Sequence, residues 1–356
     1  MQAFTLLIAL AEIKTIDLSV IVLNEGKLTR RLREAGIKTS VIDESRLSFS
    51  KINKQIANSF ADNRQDILHS HRIKENVLAG LAVKRGDADH AVTTIHGLPE
   101  SKQLLKRLKH FPQRKLEERL LKKQFDKLLP VSDDIGRILQ NRFGDNKVRS
   151  VHNAFDFSSA TVNRTPDEIK AELGLHLDQP IIGTAGRMVG VKRYDRFLET
   201  AKLILKDIPE AVFIIAGDGP LLNELKMTAK QLGLANRVIF TGFRKDIIDL
   251  INCFDLFLIS SEHEGIPMVV LEAMYLKKPV VGFKVGGLPE IINKDECGIL
   301  VEPENCVSLA DGSVALLKDN SRKQAIGLSA HERIKTAFSV DRLRTEMHDI
   351  YKSLVN

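Results

Sequence analysis

From Pro180 to Leu317 short apolar runs alternate with amphipathic stretches six times over. The apolar runs are Pro180–Ala185, Ala211–Ala216, Arg237–Phe240, Asp255–Ile259, Pro279–Phe283 and Cys297–Val301. Helical spacing marks Arg193–Lys206, Leu221–Leu232, Asp246–Cys253, Pro267–Leu276, Pro289–Asn293 and Cys306–Leu317. Strands that are apolar at nearly every position need cover on both faces, and the intervening helices supply it. The expected class is α/β, a doubly wound, Rossmann-like parallel sheet.

The first half alternates less regularly. Leu18–Leu23, Thr39–Ile42, Ile67–Ser70, Ala91–Ile95 and Lys127–Val131 read as strands, with Lys147–Val151 as a sixth. The polar stretch Phe157–Pro166 reads as the boundary. Three parts follow: residues 1–160, residues 161–338, and a tail helix in 339–356 that packs back on the first domain. Two such domains facing across a cleft would place ligands beyond the carboxyl ends of their strands.

The densest chemistry follows the strand ending at Ile259, in Ser-Ser-Glu-His-Glu-Gly-Ile-Pro-Met-Val-Val-Leu-Glu-Ala-Met. Gly265 lets backbone approach a ligand, and Pro267 opens a helix without wasting a donor. The amides of Met268, Val269 and Val270 then face an anion. Glu272, about one and a half turns in, suits the two hydroxyls of a ribose, while Glu264 meets another hydroxyl-rich group. Helix capping plus a solvated carboxylate is the plainer alternative. After Ala185 come Gly186, Arg187 and Lys192, whose guanidinium and ammonium match a diphosphate, unless they are simply surface charges. Gly217-Asp218-Gly219-Pro220 reads as a turn, and Gly242 leaves room for a base.

Taken in order, Gly186-Arg187 with Lys192, Ala216-Gly217-Asp218-Gly219-Pro220, Thr241-Gly242, Glu264-Gly265, Glu272-Ala273-Met274 and Gly286-Gly287-Leu288-Pro289-Glu290 resemble the retaining family 4 glycosyltransferases of the GT-B fold. The resemblance covers residues 180 to 305. It implies that Arg187 and Lys192 hold the pyrophosphate, that Glu272 binds ribose and that Glu264 touches the transferred sugar. It implies a hexose or hexosamine moved from a nucleotide diphosphate sugar, UDP by family habit, to a saccharide or lipid-linked acceptor with retained configuration. Bacterial surface polysaccharide or lipopolysaccharide assembly at the cytoplasmic face is the setting it implies. No cofactor or metal is expected. A nucleotide-sugar epimerase of the same fold and a non-catalytic sugar-nucleotide-binding protein are the competing readings.

Thr93-Thr94-Ile95-His96-Gly97 looks like the family's strand–His–Gly loop, with His96 facing the reacting sugar; a hydrogen-bonded structural histidine is the alternative. His69-Ser70-His71 has no further ligands nearby for a metal and reads as acceptor-side lining or loop structure. Asn153-Ala154-Phe155-Asp156 resembles the family's Asn-Gly-Ile-Asp hinge, with Ala in place of Gly. The family also places a first strand and a Gly-rich loop before the opening helix, and the run Gln2–Ala11 is itself helical. The expectation is therefore a first sheet that lacks a strand and leaves an open edge near Leu18–Leu23.

The net charge of +7 sits in one window. Residues 102–123 carry nine basic and two acidic residues, and the rest of the chain balances. Leu104, Leu108 and Phe111, then Leu116 and Leu120, recur at helical spacing on either side of Pro112. A cationic amphipathic pair of helices reads as a contact with an anionic membrane surface, or as a core-facing helix with a solvated basic side. Without Trp and with three Tyr, the patch lacks the interleaved aromatics of a nucleic-acid binder. Three scattered cysteines exclude a disulfide framework and fit a reducing compartment.

Overall fold

The structure, a computed structural model, describes residues 2–61, 63–97 and 111–355. The chain divides into two units. One takes the residues up to Ala154 together with those from Val340 on, and the other runs Phe155–Ser339.

The first unit opens with helix α1 (Gln2–Ala11) and continues β1 (Ser19–Val22), α2 (Lys27–Glu34), β2 (Lys38–Val41), α3 (Phe49–Phe60), β3 (Gln65–Ser70), α4 (Ile73–Arg85), β4 (Ala88–Ile95), α5 (Phe111–Gln124), β5 (Lys127–Pro130) and α6 (Asp133–Phe143). Its parallel strands form two pieces: β1 with β2, and β3-β4-β5. Among the described residues β1 pairs only with β2, so the expected open edge at 18–23 is present. Ser19 is exposed and the rest of β1 is half-buried, which is unusual in an interior strand of a doubly wound sheet. Thr5, Leu6, Ala9 and Leu10 form the buried stripe of α1. Leu6 and Leu10 pack with Val92, Leu129 and the C-terminal helix (Val340–Val355) through Leu343, Met347, Ile350 and Tyr351.

Lys147–Val151 does not become a sixth strand. Residues Asp145–Lys147 form a 3-10 turn, and the segment touches β5 through one isolated bridge, Leu128 to Val148. Two bonds, Arg149 N–H to Leu128 O and Val151 N–H to Pro130 O, run along β5 without completing a ladder. Of the basic window, residues 102–110 lie outside the described residues. On α5, Leu120 and Leu121 are buried, whereas Lys115, Leu116, Arg119, Lys122 and Lys123 are exposed.

The second unit runs α7 (Pro166–Glu172), β6 (Ile181–Ala185), α8 (Tyr194–Ile204), β7 (Val212–Ala216), α9 (Leu222–Gln231), β8 (Val238–Gly242), α10 (Ile247–Asn252), β9 (Leu256–Ile259), α11 (Met268–Tyr275), β10 (Val280–Phe283), α12 (Leu288–Ile291), β11 (Ile299–Val301), α13 (Cys306–Lys318) and α14 (Asn320–Ala337). Thr165 caps α7 in a full capping box with Glu168. The sheet is parallel, in the order β11-β10-β9-β6-β7-β8. Strand residues alternate between its two faces: Ile181, Ile214 and Phe257 join one core, and Ile182, Phe213, Leu256 and Leu258 the other. From β6 the chain moves outward through β7 and β8, then returns to place β9 on the other side of β6. The order therefore reverses between β6 and β9, where open parallel sheets bind ligands.

Candidate active site

Beyond β6 and β9 the backbone is locked before any side chain is considered. Ser260 Oγ donates to the carbonyls of Arg193 (2.9 Å) and Lys192 (3.2 Å), and Glu262 N–H donates to Val191 O at 2.8 Å. These bonds hold Arg193 in the left-handed region (φ 47°), an unusual conformation for a residue with a side chain. Two glycines let neighbouring loops touch backbone to backbone. A Cβ on Gly217 (φ 132°) would lie 2.0 Å from Gly186 O, and one on Gly286 (φ 51°) 2.0 Å from Glu264 O. The Gly217-Asp218-Gly219-Pro220 turn is thus also a packing device: Met188 N–H donates to Asp218 O at 2.9 Å.

In this frame Lys192 Nζ sits 2.7 Å from Glu264 Oε1, and Ser261 Oγ donates to the same oxygen at 2.5 Å. Lys192 is therefore already paired, rather than standing as a free cation beside Arg187. Arg187 is exposed and has no ion-pair partner among the described residues. Glu264 is buried, with Gly287 N–H donating to its carbonyl at 2.9 Å. Both of these side-chain contacts fall on Oε1 and neither on Oε2. Sequence reasoning assigned no role to Ser260 or Ser261. Their signal was present, two hydroxyls directly after an apolar strand, but their partners lie some seventy residues away or on the same loop.

Pro267 caps α11 instead of occupying its first turn. Val270 N–H donates to Pro267 O at 3.1 Å, and its side chain is fully buried. The expected three free amides shrink to Met268 and Val269, because the helix begins one residue later and its own turn consumes the third. Gly265 lies half-buried between Glu264 and this helix start. Glu272 lies on α11 at 3% exposure, and its Oε2 has no hydrogen-bond partner among the described residues. Burial alone pushes its carboxyl up to about 7. A buried carboxylate oxygen without a donor is costly, and a ligand hydroxyl relieves the cost. Gly242 ends β8 with φ 67° and open space where a Cβ would stand.

The first unit holds the histidines. His69 lies near the end of β3, and His71 and His96 follow β3 and β4, with His71 Nδ1 3.3 Å from His96 Nε2. Burial, with His96 and Arg72 adding repulsion, drives the His71 imidazole down to about 4. Ser70 and Thr93 beneath them are buried and donate to Asn76 Oδ1, each at 2.7 Å, which fixes the two strand ends against α4.

Residues 166–333 match the family model described as glycosyl transferases group 1, and residues 3–159 the model described as glycosyltransferase family 4. The N-acetyl-alpha-D-glucosaminyl L-malate synthase of Bacillus anthracis is 27% identical over 289 residues, covering 80% of this chain and 74% of the relative. The UDP-Gal:alpha-D-GlcNAc-diphosphoundecaprenol alpha-1,3-galactosyltransferase of Escherichia coli is 25% identical over 298 residues, covering 82% and 76%. Among solved structures, Anabaena HepE in complex with UDP-glucose superposes with a TM-score of 0.84 at 20% identity, over 99% of this chain and 96% of that one. A glycosyltransferase from Rickettsia africae gives 0.79 at 21% identity, over 100% and 95%. The fold is that of the GT-B enzymes.

Proposed function

We propose that this chain, which belongs to the group 1 and family 4 glycosyltransferases, moves a hexose or hexosamine from a nucleotide diphosphate sugar to a saccharide or lipid-linked acceptor with retention at the anomeric carbon. The buried Glu272, with one carboxylate oxygen unpartnered, carries the reading. It lies on the helix whose free amides at Met268 and Val269 suit a phosphate, as a ribose-binding group should. Arg187 and those amides would neutralise the departing diphosphate in place of a metal, with Lys192 shared between it and Glu264. Glu264 Oε2 would meet the sugar, and Gly242 would give the base room.

UDP is the favoured nucleotide: the Anabaena enzyme was solved with UDP-glucose and the Escherichia coli relative is named for UDP-Gal. The latter's diphosphoundecaprenol acceptor and the lipopolysaccharide core mannosyltransferase of Rhizobium meliloti, 29% identical over 195 residues, support cell-surface glycan synthesis as the setting. The exposed Lys115, Leu116, Arg119 and Lys123 of α5 support contact between residues 102–123 and an anionic membrane surface on the cytoplasmic side. None of the described helices is long and apolar enough to cross a membrane.

A panel of UDP-, GDP-, ADP- and dTDP-sugars read by thermal shift tests the donor. A true donor at about 100 times its dissociation constant raises stability by about 2.7 kcal/mol. Incubation with that donor and a lipid-linked saccharide, followed by NMR of the product's anomeric proton, tests transfer and retention. Conversion of the donor sugar without an acceptor would instead indicate an epimerase, and binding without any product a non-catalytic role.

A further inference from the structure

The ion pair of Lys192 with Glu264 sets two demands against each other within the second unit. Glu264 is buried, and a buried carboxylate that loses its cation is left as an uncompensated charge. The donor's diphosphate calls on the same ammonium. The Lys192 backbone cannot follow a ligand, because it sits in the 3-10 turn Gly190–Lys192 and its carbonyl accepts from Ser260 Oγ. The side chain, 21% exposed, is the part that can swing, on a flexible four-carbon stem.

A spare donor waits beside the pair. Tyr194 opens α8 with its ring in the core that holds Ile182 and Phe213, at 4% exposure. A Cβ on Gly186 would stand 2.9 Å from the Tyr194 hydroxyl and 3.9 Å from Lys192 Nζ, so phenol and ammonium flank the same glycine. Thr184 of β6 is close enough to act on the hydroxyl as a donor, yet nothing among the described residues accepts the phenolic hydrogen. Burial, and then the Glu264 charge, push the phenol well above the usual tyrosine range, so it keeps that hydrogen and feels the carboxylate. A buried donor without an acceptor costs stability in the free protein, and the core has no need of it, since a phenylalanine would fill the same space.

We propose that Lys192 exchanges between two anions, Glu264 in the free protein and the diphosphate in the donor complex, and that Tyr194 is the positioning residue that permits the exchange by donating its hydroxyl hydrogen to the Glu264 carboxylate as Lys192 leaves. The proposal rests on the donor reading above. No covalent bond changes: one ion pair is traded for another, and the vacated carboxylate keeps Ser261 Oγ and gains the phenol. The sugar-contacting carboxylate thereby stays charged and in place while the ammonium serves the phosphates.

Two double-mutant cycles on the full chain test it, read by calorimetry with UDP, GDP, ADP or dTDP, whichever binds tightest. Tyr194→Phe should leave the melting temperature of the free protein equal or higher, because the lost hydroxyl had no acceptor there. It should weaken nucleotide binding about 10-fold or more, the range for a lost hydrogen bond to a charged group, but less than about twofold in a Glu264→Gln background, where no charge is left behind. Lys192→Met should weaken the nucleotide at least threefold more in the Glu264→Gln background than in the unsubstituted protein, since the ammonium no longer has to be withdrawn from a carboxylate. Equal losses from Tyr194→Phe in both backgrounds, or no loss in either, overturn the role of Tyr194, and equal losses from Lys192→Met overturn the exchange. A lower melting temperature for free Tyr194→Phe would mean that the hydroxyl already has its acceptor, which also overturns the proposal. If the unsubstituted protein binds none of the four nucleotides, the donor reading fails and the exchange falls with it; if it binds one and the cycles are flat, the exchange alone fails.

Discussion

Glu272 sits at 3% exposure with burial as the only influence on its carboxyl, which stands at about 7. The fold therefore favours the protonated form, whereas a ribose diol, donating two hydrogens, favours the carboxylate. At about pH 6 roughly a tenth of the groups are ionised and at about pH 8 roughly nine-tenths, so nucleotide affinity through this contact rises about tenfold across that interval. Phosphate oxygens of the ligand titrate in the same range. The quantity to measure is thus the ratio of UDP dissociation constants between Glu272→Gln and the unsubstituted protein, by calorimetry at each pH. Folding moves the other way. A carboxyl raised from 4.5 to about 7 contributes stability that is complete below about 4.5 and is lost as pH rises through 7. At one and a third kcal/mol per unit the full loss is about 3 kcal/mol. Glu272→Gln, which does not titrate, should therefore match the unsubstituted protein near pH 4.5 and melt several degrees higher at pH 8, since about 2–4 °C accompanies each kcal/mol in a domain of this size. A flat affinity ratio from pH 6 to 8 together with equal melting temperatures at pH 8 would refute the reasoning.

Glu264→Ala should leave UDP affinity within about threefold but cut transfer at least 100-fold, because the contact proposed for its second oxygen is with the sugar and not the nucleotide; Arg187→Ala should weaken UDP itself by 10-fold or more, as lost charge-assisted bonds do, and calorimetry separates the two. Gly286→Ala places a methyl group 2.0 Å from Glu264 O at a φ of 51°. A left-handed alanine alone costs about 1–2 kcal/mol, so chemical denaturation should show a larger loss than that, accompanied by weaker donor binding. Replacing Lys115, Arg119, Lys122 and Lys123 by Gln should reduce binding to anionic vesicles by roughly 1 kcal/mol per residue, with a shallower salt dependence; unchanged flotation would end the membrane reading.

The second unit was legible because its signals are redundant. Ile181–Ala185, Val212–Ala216 and Leu256–Ile259 are buried at every position, so an apolar run alone finds them. The site was legible in its charged residues and illegible in their pairing. Nothing in the spacing of Lys192 and Glu264 says that they meet at 2.7 Å, because that contact is made by the reversal of strand order between β6 and β9. The Lys147–Val151 segment misled for the opposite reason. Its apolar Val148 and Val151 suggest a strand, but a 3-10 turn at Asp145–Lys147 leaves it only one bridge to β5.

The same logic explains why the clustering of the histidines was not legible. His96 reads as a residue facing the reacting sugar and His69-Ser70-His71 as acceptor-side lining or loop structure, but nothing in their spacing says that the three rings meet. Their arrangement depends on β3 pairing with β4 in the register Ser70 to Thr93, which brings the residues after both strands side by side. It depends also on Tyr351, 282 positions from His69, closing the far nitrogen. Chemistry that rests on strand register and on a returning helix is invisible in local sequence, while chemistry carried by one loop and its helix, as in Glu264 to Glu272, is not. Tyr351→Phe separates the two cases: it should shift the His69 nitrogen resonances and loosen the imidazole stack while leaving UDP affinity unchanged. Loss of UDP binding in that variant would mean that the donor residues of the second unit depend on the histidine stack, against the assignment made here.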